Sequence, residues 1–523
     1  MMEYKTMNAP AKKLNCILLA IYLALVLISE IFVSEYYRSV YLLLGSMIIF
    51  LFALMVSPAA LGIVSGFSID CAQEKNPGRE KLLRNLFYIL PTMLLLVYYI
   101  AYYPGGFTSD SIGQYEQAVN NRYNDWHPVL QTLFAFKLPL LLSGGWSGSV
   151  VLFQILVFSA VLGYAFDTVY LFAGKKYAIG TMIYILANPL LRIAMYPWKD
   201  VTFAIVALLL TTFSLHIYMS KGNWIRKPLH FTAFAVAWVL ATLCRHNGIL
   251  FTVPLLFALF FQVSGKRFAI LVLVVAALTT AVKGPLYSLL EVKKPGSRQI
   301  EVLGLPMNAI SAAVSVTPEQ IDRDILDFAH QIAPQDVWEE YFIYGNYNPF
   351  KMSGKTDHSV IEQVGSKRVL EMAARCVKES PQASMKSLVK LTEGVYTITD
   401  PHPDNTSPGI APNNLGISGR SSENILCYVF YTLSALVEDY IPHVFLYYGV
   451  VHLVLLISIL ATCELNRAAD WKKILFALPL LAYNYGTTLL MTGNDDAPRF
   501  FYYTVLIVPV ILIVFYRKED LSA

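Results

Sequence analysis

The chain has 523 residues, of which 56% are hydrophobic and only 15% charged, with a formal net charge of +4 and a mean hydropathy of +0.51. A soluble domain carries about 25% charged residues, so an ordinary soluble enzyme, a disordered scaffold and a disulfide-stapled secreted domain are excluded. The mild positive charge suits basic loops and not the clustered patch that nucleic-acid binding requires.

A bilayer core of about 30 Å needs roughly 20 apolar residues per helix. In chain order the runs that approach this length are 14–33, 40–67, 86–103, 149–172, 177–196, 201–219, 231–243, 249–263, 268–287, 443–463, 474–491 and 500–516. The first follows Lys12 and Lys13 without a small-residue cleavage pattern and reads as a retained signal anchor. Residues 128–142 and 425–441 are shorter or interrupted and read as interfacial or re-entrant helices. The expected fold is an all-α polytopic membrane protein with about 12 transmembrane helices. Residues 1–288 form an N-terminal membrane region, 289–424 an inserted, mainly helical extracytoplasmic domain, and 425–523 a C-terminal membrane region.

Charge in the short loops tests this map. Lys5, Lys12 and Lys13 are followed by Lys75, Arg79, Lys81 and Arg84, then by Lys175 and Lys176. Lys221, Arg226 and Lys227 come next, then Lys266 and Arg267, then Arg467, Lys472 and Lys473, and finally Arg517 and Lys518. All fall on one side if the two doubtful stretches do not cross. By the positive-inside rule that side is the cytoplasm, with both termini there. The cysteines, Cys16, Cys71, Cys244, Cys376, Cys427 and Cys463, are scattered singly without a CxxC pair. They read as small buried thiols, not as a metal or redox site.

The opposite face carries the chemistry. Its first loop reads YYPGGFTSDSIGQY and returns through DWHP, setting Asp110 among Thr108, Ser109 and Ser111, with Gln114, Asp125 and His127 nearby. A carboxylate at such a border can bind a divalent cation or take a proton from an acceptor hydroxyl; the plainer reading is a solvated loop with a helix cap. In MYPWKD, Lys199 and Asp200 open the next helix, where Asp200 is also a natural cap and Lys199 can snorkel. Arg245, His246 and Asn247 end an apolar helix, and an Arg or His at membrane depth usually faces a cavity or partner. Arg499 follows Asp495 and Asp496 just before the last run, either paired locally with them or offering its donors to phosphate oxygens.

With its PGGFTSDSIGQY, DWHP, WKD and RHNG motifs, its closing Arg and the GLPMNAI segment of the long loop, the chain resembles the GT-C superfamily of integral-membrane glycosyltransferases. More narrowly it resembles DUF6020-type bacterial proteins related to the mannosyltransferase and aminoarabinose-transferase families. The resemblance implies a polyprenyl-phosphate-linked sugar as donor, a cell-envelope glycan, lipid or protein as acceptor, and transfer with inversion. It implies Asp110 as catalytic base or metal-linked carboxylate and Asp200 as the second acidic site, with Mg or Mn between them if a metal is used. Arg245 and Arg499 would hold the lipid phosphate, helped by Lys199, His127 and His246. Ser109, Gln114, Asp125 and Asn247 would position donor or acceptor. One departure stands out: the acidic loop follows the third apolar run, where many GT-C enzymes have it after the first.

Two other function classes fit parts of the sequence. A transporter or flippase of lipid-linked glycans would use buried charge near the midplane, for which Asp167 is the best candidate. A glycan ligase or polymerase of the O-antigen type would depend on basic residues of the long loop, such as Arg368, Arg375 or His402.

Overall fold

The computed structural model describes residues 9–33, 39–69, 71, 73–294, 299–397, 408–419, 425–440, 448–464 and 467–517. Lys5, His402, Lys518 and residues 443–447 of one expected span lie outside them. Among the described residues the chain is helical, and extended pairing is limited to isolated bridges. It is an all-α protein with the apolar helices of a membrane protein.

The N-terminal region comprises α1 (Ala9–Val33), α2 (Ser39–Ser65), α3 (Pro77–Ala101), α4 (Ser109–Asn120), α5 (Val129–Leu142) and α6 (Ser149–Ala187). It continues through α7 (Lys199–Met219), α8 (Pro228–Leu243), α9 (Ile249–Phe260) and α10 (Gly265–Leu289). Six described helices, α1 (over Ala9–Ser29), α2 (over Gly45–Ser65), α3, α6, α7 and α10, are long and apolar enough to cross a membrane. A bent pair near the C-terminus makes up to seven. Helices α5, α8 and α9 are among the shorter apolar ones.

Burial sorts these helices. The apolar window of α7 is 83% buried, against 17% for α2 and 6% for α10, so α7 is the central column and the other two leave faces for lipid. Helix α6, at 39 residues, would run about 58 Å if straight, too long for one crossing. It breaks at Gly174, whose φ of 75° is closed to most side chains, and so divides where the expected spans 149–172 and 177–196 meet. The second arm stops earlier than expected. Residue 188 precedes Pro189 and is pushed out of the helical region, the Asn188 side chain caps Leu190 N at 3.0 Å, and Pro189–Met195 continues as a 3₁₀ turn.

Three of the basic segments, those of Arg84, Lys175 and Arg517, come together at one end of the bundle. Lys175 pairs with Glu74 at 2.6 Å, Arg84 bonds Asp167 at 2.6 and 2.8 Å, and Ile69 N bonds Tyr516 O at 3.0 Å. Arg517 lies over Phe172 at 5.6 Å and reaches Met219 Sδ at 3.4 Å. The residues singled out for chemistry lie at the other end of α3, α7 and the last helix.

Residues 299–397 build their own apolar core around Met307, Ile310, Phe328, Trp338 and Phe350, with Trp338 stacked on Phe350 at 3.9 Å. Helix α11 (Gly304–Val316) packs there against α12 (Ser366–Glu379) and α13 (Pro381–Thr392). Helices α14 (Ile425–Tyr440), α15 (Tyr448–Thr462) and α16 (Ala468–Thr488) lead to α17 (Ala497–Phe501) and α18 (Tyr503–Tyr516), which bend 44° from each other. Among the described residues no two cysteines form a disulfide; Cys244, Cys376 and Cys463 are buried as expected, but Cys71 is exposed, because it lies in a loop and not in an apolar helix.

Candidate active site

Two motifs distant in sequence lock together to make the floor of the site. Gly105 has φ +111°, and a Cβ there would lie 2.8 Å from the Met195 carbonyl oxygen, while one on Gly106 would enter the Tyr196 ring. Gly106 N donates to Met195 O at 2.9 Å, and Trp198 Nε1 donates to Thr108 Oγ1 at 2.9 Å. The Trp198 ring stacks on Tyr196 at 4.1 Å. A third segment crosses above: Phe107 N donates to Gly409 O at 2.9 Å and Ala411 N to Phe107 O at 2.7 Å. The first turn of α4, with Asp110, thus faces the first turn of α7, with Lys199 and Asp200. Both carboxylates lie at positive helix ends.

Asp110 is the accessible one, its side chain 38% exposed. Arg499 Nη1 approaches its Oδ2 at 3.7 Å and His127 Nε2 its Oδ1 at 3.9 Å. Burial pushes the Asp110 carboxyl up, but Lys199, then His127 and Arg499, with Lys351 beyond, more than offset this and hold it below its usual range. Buried His127 is pushed down to about 4, first by burial and then by the Lys199 ammonium, so its ring is neutral near pH 7. Lys199 Nζ sits 3.4 Å from His127 Nδ1. Among the described residues no carboxylate is in direct contact with that ammonium.

Asp200 and Arg245 are the enclosed pair. Arg245 Nη1 lies 2.6 Å from Asp200 Oδ1, and the side chains are 4% and 1% exposed, Arg245 first. Apart from this ion pair neither Asp200 oxygen has a hydrogen-bond partner among the described residues. The Arg245 guanidinium also lies over Phe500, Tyr483 and Phe203 at 4.4, 5.4 and 5.9 Å. The same Phe500 ring lies 5.0 Å from the guanidinium of Arg499, which pairs with Asp496 at 2.7 Å.

The other expected residues brace the loop. Gln114 is buried and donates to Thr132 Oγ1 at 2.8 Å and to Gln131. Asp125 pairs with Lys283 at 3.1 Å and accepts from Tyr287 at 2.8 Å. His246 Nε2 meets Trp126 O at 3.3 Å, Asn247 donates to Thr487 at 3.2 Å, and Ser109 is exposed at the rim. Among the described residues no three His, Cys, Asp or Glu side chains are grouped to hold a metal ion. Asp110 and Asp200 are each matched by an Arg instead, so the donor set does not fit Mg or Mn.

The insertion contributes residues that the sequence did not single out. Lys351 Nζ bonds Glu301 at 3.0 Å and Thr492 Oγ1 at 3.4 Å, and Asn348 contacts both Asp495 and Asp496. They lie in the stretch YGNYNPFKM, where polar and aromatic residues alternate too closely for either one to stand out as costly. Compared with protein-family models, with curated proteins and with solved structures, the chain matches none.

Proposed function

We propose that this protein is an integral-membrane glycosyltransferase of the GT-C type, with about twelve crossings and cytoplasmic termini. It moves a sugar from a polyprenyl-phosphate donor to an acceptor hydroxyl on the extracytoplasmic face of the cell membrane. The observation that carries this reading is the half-open Asp110 carboxylate, backed by Arg499 and set beside a lysine that pairs with no carboxylate among the described residues.

In this mechanism the acceptor O–H gives its proton to Asp110 as its oxygen attacks the anomeric carbon. The bond from that carbon to the phosphate oxygen breaks, its electron pair stays on the phosphate, and polyprenyl phosphate departs with inversion at the sugar. The part-exposed Asp110 then releases the proton to solvent, while His127 beside it stays neutral. Lys199 binds the phosphate of the donor before transfer and keeps hold of it as the bond breaks, a charge-assisted contact. Arg245, already neutralised by Asp200 and walled by rings, holds the site's shape.

The groups that favoured other function classes have structural partners. Asp167, the transporter candidate, is bridged by Arg84. Arg368 and Arg375, the ligase candidates, share Asp324 at 2.8 Å each on the surface of the insertion. The test is to incubate the purified protein with a panel of polyprenyl-phosphate sugars and measure the lipid phosphate released. Release that disappears in Asp110→Asn supports the reading, and no release from any donor overturns it.

A further inference from the structure

We infer that Asn348 of the inserted region is a positioning residue, which fixes Asp496 and through it the Arg499 guanidinium against Asp110. Its effect on turnover rests on the transferase reading, but the linkage itself does not.

The turn that carries Arg499 is clasped by the insertion. Tyr347 N donates to Thr492 O and Asn494 N to Gly345 O, both at 2.9 Å, and Asn308 Nδ2 donates to Thr492 O at 2.9 Å. Gly345 holds φ +73°, and a Cβ on it would lie 2.6 Å from the backbone of α13. Gly493 is equally confined, since its Cβ would stand 2.6 Å from Asn348 Nδ2.

Asn348, 7% exposed, uses both ends of its amide. Its Oδ1 accepts from Thr492 Oγ1 at 2.7 Å. Its Nδ2 donates to Asp495 Oδ1 at 3.0 Å and Asp496 Oδ2 at 3.4 Å. Adjacent carboxylates repel each other, and a neutral amide donor is the group that can satisfy both without adding charge. With Oδ2 of Asp496 so anchored, Oδ1 faces Arg499 Nη2 at 2.7 Å, and Nη1 of the same guanidinium faces Asp110. Among the described residues Arg499 Nε has no hydrogen-bond partner, so these two contacts, with the Trp198 and Phe500 rings, set its orientation. An amide in the insertion is thereby joined to the catalytic carboxylate through one acid and one base.

The experiment uses the full chain carrying Asn348→Ala, Asn348→Asp, Arg499→Gln and the Asn348→Ala/Arg499→Gln pair. Misplacing a charged group by a fraction of its contact distance lowers kcat, here by about 10-fold or more, with donor KM little changed. Asn348→Asp keeps the size and the acceptor but sets a third carboxylate beside two, and loses at least as much. In Asn348→Ala the acid limb of the pH–rate profile moves up, because Asp110 loses Arg499 while Lys199, His127 and Lys351 still face it. Linked residues give non-additive losses, so the double variant loses less, in both kcat and thermal midpoint, than the two single losses summed. Additive losses overturn the inference. If the wild-type protein transfers no sugar the function fails, and the thermal comparison of the four variants still decides the linkage.

Discussion

The Asp200 carboxylate and the Arg245 guanidinium meet at 2.6 Å with almost none of either side chain in contact with solvent. A buried ion pair adds little net stability, yet removing one partner strands the other charge and costs about 3–5 kcal/mol. Arg245→Met and Asp200→Asn are each expected to lower the thermal midpoint of the purified protein strongly. The double variant, with no lone charge left, recovers much of the loss. Single variants as stable as wild type would show that water reaches the pair.

Asp110 behaves differently, because it is half-open. Asp110→Asn keeps the size of the side chain and leaves folding and membrane insertion intact, while transfer falls by about 100-fold or more. The measurement is release of polyprenyl phosphate beside a thermal midpoint, and near-normal release removes Asp110 from the mechanism.

Lys199 separates phosphate binding from structure. Its ammonium contacts His127 and no carboxylate among the described residues, so Lys199→Met strands no acid in direct contact with it. A charge-assisted bond to phosphate contributes about 1.5–3 kcal/mol, and its loss raises donor KM by roughly 10- to 100-fold. Steady-state kinetics across donor concentrations check this. A lowered thermal midpoint with unchanged KM would return Lys199 to a structural role.

The charged cluster was legible in sequence because Asp110, Lys199, Asp200, Arg245 and Arg499 each stand at or near the edge of an apolar run, where a charge is conspicuous. Which cation serves which carboxylate was not. That choice depends on reach between elements: Arg245 turned inward to Asp200, while Lys199, next to Asp200 in the chain, turned to His127. Asp125 looked equally functional in DWHP but is spent on Lys283 and Tyr287. The break in α6 was marked by Gly174 beside two lysines. The 3₁₀ turn after Pro189 was hidden because the apolar run continues through it. Asn348 gave no signal at all, since its meaning lies in a contact with a turn at the far end of the chain.

The Gly105 turn holds the two motifs together, and a side chain there is opposed twice. Its φ of +111° lies in a region that L-residues rarely adopt, a backbone cost of about 1–3 kcal/mol. The methyl group of Gly105→Ala would also press on Val151 and the Met195 carbonyl. The expected outcome is a lower thermal midpoint together with lost transfer, since the first turn of α4 moves with the loop. Retained activity at an unchanged midpoint would mean that the loop does not set the position of Asp110.

His127 gives the site a pH signature in stability. Its folded value of about 4 lies below the ordinary 6.5, so between these two values the unfolded chain takes up a proton that the folded protein refuses. The stability that depends on a neutral His127 is therefore complete above about pH 6.5 and falls as the pH drops toward 4, by up to about 3 kcal/mol in all. Asp110, held below its usual range, adds a second loss at still lower pH, as its carboxylate is finally protonated. Thermal midpoints from pH 7 down to 4 should decline in wild type and decline less in His127→Gln, whose amide does not titrate. Equal slopes in the two proteins would show that His127 is already open to solvent protons and carries no such linkage.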